Sequence, residues 1–139
     1  MEKYNDLAAA ACKVRLNSHS PYSGFRVGAA LLGKSGTVYL GTNVENASFG
    51  LSICAERTAV FRAVADGETE FQAIAICADG KQPTPPCGAC RQVLVEFGPQ
   101  MIVLTVGEEG LDGPVIHSTV SDLLPEAFRN FQQTEDSTQ

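Results

Sequence analysis

From residue 3 to residue 16, Leu7, Ala8, Ala11, Val14 and Arg15 fall at helical spacing, and Asn17-Ser18-His19-Ser20-Pro21 then breaks the pattern. A first helix is predicted there. The period then shortens. Residues 27–32 and 38–42 are brief apolar runs on either side of Gly33-Lys34-Ser35-Gly36, the signature of a β-hairpin. A second helix is expected from about residue 53 to 65, where Asp66-Gly67 supplies a left-handed stop. Ala73, Ile74, Ala75, Ile76 and Cys77 form a continuous apolar run, as a central strand buried on both faces requires.

A proline-rich loop over residues 81–86 leads to Cys87, where a third helix begins; Val93, Leu94 and Phe97 give it an apolar face and Gly98-Pro99 ends it. Strands follow at residues 102–106 and 115–118. Ser121 is the candidate N-cap of a last short helix that Pro125 kinks or ends. The order α-β-β-α-β-α-β-β-α predicts an α/β fold. Its mixed sheet of about five strands has antiparallel pairs from the hairpins and parallel pairs from the strand-helix-strand units.

The chain has 139 residues, 44% of them apolar, enough for one core-bearing domain. With no linker or repeat before it, residues 1–131 read as that domain and residues 132–139 as a polar tail. A formal net charge of −6 argues against a surface that neutralises phosphates, so the expected partners are small molecules and not nucleic acid. No apolar run has the length of a membrane span and the opening residues lack a basic, apolar leader, so the expectation is no membrane and a cytoplasmic location. Five cysteines suit a reducing compartment better than a disulfide framework.

Chemistry concentrates in two short motifs, Cys54-Ala55-Glu56 and Pro86-Cys87-Gly88-Ala89-Cys90. Cys54, Cys87 and Cys90 make three thiolate ligands for one zinc ion per chain. They leave open the fourth position that a hydrolytic centre needs to activate water. Glu56 supplies an acid/base carboxylate beside a ligand, the arrangement of zinc deaminases that act on nucleobases. Three thiolates carry excess negative charge, and Arg57 and Arg91 directly follow the two motifs as cations able to donate to sulfur. Taken alone, Cys87 and Cys90 would equally suit a redox pair or half of a structural zinc ribbon. Cys12 and Cys77 read as core thiols with no chemical role, and His19 and His117 as loop or surface residues.

Phe25-Arg26-Val27-Gly28-Ala29-Ala30, Asn43-Val44-Glu45-Asn46-Ala47-Ser48, Cys87-Gly88-Ala89-Cys90-Arg91-Gln92-Val93-Leu94 and Leu123-Leu124-Pro125-Glu126-Ala127-Phe128 occur in that order. With the zinc motifs they resemble the small, homotetrameric, zinc-dependent type of cytidine deaminase over most of the chain. The resemblance implies a three-layer α/β/α fold, zinc on Cys54, Cys87 and Cys90, and Glu56 as proton shuttle. It also implies that Asn43 and Glu45 hold the ribose hydroxyls, that Phe25 packs on the pyrimidine beside Ala55, and that Arg57 bonds a thiolate. It further implies a homotetramer in which Ala47, Ser48, Phe49 and Phe128 are candidates for intersubunit contacts. Phe49 stands where tyrosine is frequent in such proteins, so a hydroxyl is missing there. The implied reaction is hydrolytic deamination of cytidine and deoxycytidine to uridine and deoxyuridine plus ammonia, in pyrimidine salvage. The alternatives are a deaminase of another aminated nucleoside or heterocycle, and a non-catalytic zinc or thiol module.

Overall fold

The computed structural model describes residues 4–129. The tail at 132–139 and the boundary at 131 lie outside the described residues. The nine elements occur in the predicted order: α1 Asn5–Val14, β1 Val27–Gly33, β2 Val38–Thr42, α2 Ala55–Ala65, β3 Phe71–Ala78, α3 Gly88–Phe97, β4 Ile102–Val106, β5 Val115–Thr119 and α4 Val120–Leu123. The strands form one sheet in the order β2-β1-β3-β4-β5. Only β3 and β4 pair in parallel; the other three pairs are antiparallel. The β2-α2-β3 unit makes no parallel pair because β1 lies between its strands.

Alternation along the central strands divides the core in two. Ala29, Leu31, Ile74, Ile76 and Val103 point to one face, where Ala59, Val60, Leu94 and Val95 of α2 and α3 cover them. Ala30, Ala73, Ala75, Cys77 and Leu104 point to the other, under Leu7, Ala8 and Ala11 of α1. The result is three layers, α/β/α. Burying each large aliphatic side chain, such as Leu31 or Ile74, contributes about 1.5–3 kcal/mol.

Two glycines let the helices close on the sheet. A Cβ on Gly28 would lie 2.2 Å from Ala11 O and 2.6 Å from Arg15 N, and one on Gly41 would lie 2.5 Å from both Ala55 O and Ala59 N. Gly28 is the sheet partner of Cys77. The approach of α1 at Gly28 therefore brings Cys12 down onto Cys77, with their Cα atoms 5.0 Å apart, and the two form a disulfide. This corrects the reading of both as core thiols without a chemical role: the small residues of β1 and β3 remove the spacing that would have kept them apart.

At the last helix the expected cap is displaced. The Thr119 hydroxyl accepts from Asp122 N at 3.3 Å, which makes Thr119 the N-cap and leaves Ser121 inside the first turn. Among the described residues no helix is long and apolar enough to cross a membrane.

Candidate active site

Strands β2 and β3 run in the same direction, since β1 is antiparallel to both, so the loops that leave them open at one edge of the sheet. These loops feed α2 and α3. Both helices start with a cysteine in extended conformation, Cys54 at φ −74°, ψ 155° and Cys87 at φ −67°, ψ 169°. Cys54 and Cys87 are thus N-caps, each one residue before its helix, and Cys90 lies in the first turn of α3. The Cys87 sulfur accepts from Cys90 N at 3.5 Å. The Cys54 and Cys87 sulfurs each sit at the positive end of a helix dipole.

The sulfurs of Cys54, Cys87 and Cys90 all lie within 4.8 Å of one another. Cys54 Sγ and Cys87 Sγ are 3.8 Å apart, the separation that tetrahedral bonds of about 2.3 Å to one zinc ion produce. Hydrogen bonding from Cys90, and from Arg57 and Cys87, pulls the Cys54 thiol down to about 5. Cys90 is pushed up by its contact with Cys54, by burial and by Glu56. The Cys54 charge opposes ionisation of Cys90, and a divalent cation among the sulfurs would remove that opposition. The donor set fits zinc.

Glu56, in the first turn of α2, is 4% exposed. Burial raises its carboxyl to about 7, and the neighbouring Cys54 charge adds to the rise. A carboxyl group in that range both accepts and returns a proton near neutral pH. Arg57 Nη2 donates to Cys54 Sγ at 3.4 Å. Arg91 behaves differently from the expectation for it. Its Nε donates to Pro86 O at 2.8 Å and its Nη1 to Leu123 O at 2.9 Å, so it ties the segment before Cys87 to the end of α4 instead of bonding sulfur.

A cleft of about 230 Å³ opens in front of the sulfurs, walled by Phe25, Asn43, Ala55 and Glu56 among others. Val27, Ile76, Thr84 and Pro85 also line it and were not singled out from the sequence. For the last two the signal was present: they sit in the proline-rich loop that delivers Cys87. Glu45 lines an adjoining open cleft with Tyr22, Ser23, Phe49 and Ser52. Asn43 and Glu45 lie just past the end of β2, where Val44 bridges both His19 and Ile53. His19 takes part through its backbone, pairing with Asn43 O and Glu45 N. Ala47 and Ser48 are exposed. Phe49 is 74% exposed and meets Tyr22 edge-to-face, and Phe128, its carbonyl accepting from Gln92 Nε2, is 71% exposed. His117 is an exposed position of β5.

The chain is similar to known proteins. Residues 1–106 match the family described as the cytidine and deoxycytidylate deaminase zinc-binding region. The cytidine deaminase of Halalkalibacterium halodurans is 52% identical over 118 residues, covering 85% of this chain and 88% of that protein. That of Sporosarcina psychrophila is 48% identical over 124 residues, 88% of each. The crystal structure of cytidine deaminase from Burkholderia pseudomallei superimposes with a TM-score of 0.84 at 46% identity, covering 90% of this chain and 98% of that one. A sulfur triad at two helix starts, a buried glutamate beside it and matches of this extent lead to one conclusion: the chain belongs to the cytidine and deoxycytidylate deaminase family.

Proposed function

We propose that this chain catalyses the zinc-dependent hydrolytic deamination of cytidine and deoxycytidine, releasing ammonia and leaving uridine and deoxyuridine. The observation that carries this reading is the buried Glu56 carboxyl group beside three convergent sulfurs at the head of one cleft. Cys54, Cys87 and Cys90 would hold a zinc ion, which would lower the pKa of a water enough to make it a nucleophile at neutral pH. Glu56 takes a proton from the attacking water and passes it to N3 of the pyrimidine as C4 becomes tetrahedral. It then carries the second proton to the exocyclic amine, which leaves as ammonia. Phe25 packs on the base, and Arg57 offsets the charge of the thiolates.

Hydrogen-bond valences support a sugar-binding role for Asn43 and Glu45. Asn43 Oδ1 already accepts from Val27 N and the Ser18 hydroxyl, and one Nδ2 hydrogen goes to Phe25 O. Glu45 Oε1 accepts from Tyr22 N and Ser23 N, and Oε2 accepts from the Ser23 hydroxyl. One donor on Asn43 and one acceptor site on Glu45 Oε2 remain, a complement to a single hydroxyl. A 5′-phosphate meets the Glu45 charge, so nucleosides are preferred to nucleotides.

The same reading extends to assembly and location. Tyr22 and Phe49 are exposed apolar side chains at the open cleft, and Leu51 and Phe128 are exposed as well; association into a homotetramer would bury such surface. Pyrimidine salvage in the cytoplasm is the accompanying role. An ultraviolet assay of cytidine loss coupled to ammonia release tests the proposal on zinc-loaded protein, with CMP and cytosine as comparators. Cytidine and deoxycytidine should be consumed and CMP turned over far more slowly; inert cytidine refutes the reading.

A further inference from the structure

The turn that carries Phe25 into β1 is folded around one carboxylate. Tyr22 N and Ser23 N donate to Glu45 Oε1 at 3.0 and 3.1 Å, and the Ser23 hydroxyl donates to Glu45 Oε2. The oxygen of that hydroxyl also accepts from Phe25 N at 2.9 Å. Gly24, at φ +70°, supplies the reversal that lets one side chain reach both partners, and its N–H closes the turn on Ser20 O at 2.9 Å. On the far side, Asn43 Nδ2 donates to Phe25 O at 2.9 Å. The peptide groups that flank Phe25 are therefore held by Ser23 and Asn43. The ring itself is 39% exposed at the cleft, so packing alone does little to fix it.

We propose that Ser23 is a positioning residue for substrate recognition, its hydroxyl joining the Glu45 carboxylate to the Phe25 backbone so that the sugar side and the base side of the site are set together. The inference rests on the reading of Glu45 as the sugar acceptor and Phe25 as the base-packing ring.

The chain N–H to hydroxyl to carboxylate is directional, and each bond polarises the next. A glutamate terminus otherwise has a broad torsional well, so a hydroxyl donating to one oxygen fixes which lone pair remains for the substrate. The Ser23 hydroxyl, followed by the Ser23 and Tyr22 N–H groups, holds the Glu45 carboxyl below the usual carboxylate range and keeps it an acceptor. Without the hydroxyl, water satisfies both partners at this exposed turn. The fold survives and the preorganisation does not.

Steady-state kinetics on zinc-loaded variants test the role. Ser23→Ala should raise KM for cytidine about tenfold with kcat within about twofold, the signature of lost uniform binding. Its thermal midpoint and zinc content should match the parent protein, and Ser23→Thr, which keeps the hydroxyl, should restore KM. Added to Glu45→Ala, which leaves Ser23 no side-chain partner at that position, the serine substitution should raise KM no more than about twofold further, because the joint is already broken. Unchanged KM in Ser23→Ala, a loss accompanied by zinc release or a lowered midpoint, failure of Ser23→Thr to rescue, or full multiplicativity with Glu45→Ala overturns the role. A parent protein inert toward cytidine instead overturns the substrate reading, and the role with it.

Discussion

Arg57 donates to the sulfur of Cys54 across 3.4 Å, from three residues further along the start of α2. The i, i+3 spacing stacks the guanidinium over the cap residue, so the cation and the sulfur it donates to are fixed by one helical turn. Removing an outer partner of this kind costs about 10–100-fold in metal affinity or activity. Arg57→Ala should show that loss in bound zinc, measured by mass spectrometry, or in initial rate; full retention of both would remove the role.

Glu56→Gln keeps the shape of the buried side chain and deletes its proton exchange. Turnover should fall about 10²–10⁴-fold, the usual worth of a general acid/base. Zinc content and calorimetric binding of cytidine should persist. Appreciable turnover with zinc in place would take Glu56 out of the proton path.

Gly28→Ala and Gly41→Ala place a methyl group against backbone atoms that cannot swing aside, at 2.2 Å from Ala11 O and 2.5 Å from Ala55 O respectively. Overpacking of this kind costs about 1–3 kcal/mol or more. Denaturant midpoints should fall for both variants. Only Gly41→Ala should also shed zinc, because it displaces the helix start that holds Cys54.

The Cys12–Cys77 disulfide closes a loop of sequence separation 65. Reduction should lower the unfolding free energy by about 2–4 kcal/mol. Thiol titration of denatured, metal-free protein should find three reactive groups before reduction and five after it. Five groups without reductant would show the pair to be open.

Asp79 is partly buried, which favours its neutral form, yet hydrogen bonds and charge from Arg26, with the charge of Arg15, hold it below the ordinary value of 3.8. A depressed folded-state pKa contributes stability that is fully present above the unfolded value and is lost as pH falls through the folded one. The contribution should therefore fade from about pH 3.8 downward. Asp79→Asn should lower the denaturant midpoint at pH 7 and flatten its fall in acid; an unchanged acid limb would contradict the assignment.

Much of the site was legible because its chemistry lies in short motifs. Cys54, Glu56, Cys87 and Cys90 declare themselves by type and spacing, and the local punctuation of Gly33-Lys34-Ser35-Gly36 and Asp66-Gly67 marks element ends where the structure has them. Residues whose roles depend on partners distant in sequence were read less well. Arg91 looked like a second thiolate cation, but its direction is set by carbonyls at Pro86 and Leu123. Ser23 carried no motif at all. Its significance comes from Glu45, 22 residues away.

Periodicity and residue type by themselves determined the order of elements, the mixed sheet and the ligand set, since these follow from local backbone preference and donor chemistry. Tertiary structure alone decided that β1 lies between β2 and β3, that Cys12 meets Cys77, and that one hydroxyl joins Phe25 to Glu45. The meeting of Cys12 with Cys77 depends on how closely helix and sheet surfaces approach. That distance is set by the absence of side chains at Gly28 and Gly41 together with everything packed around them, and no window of sequence contains it.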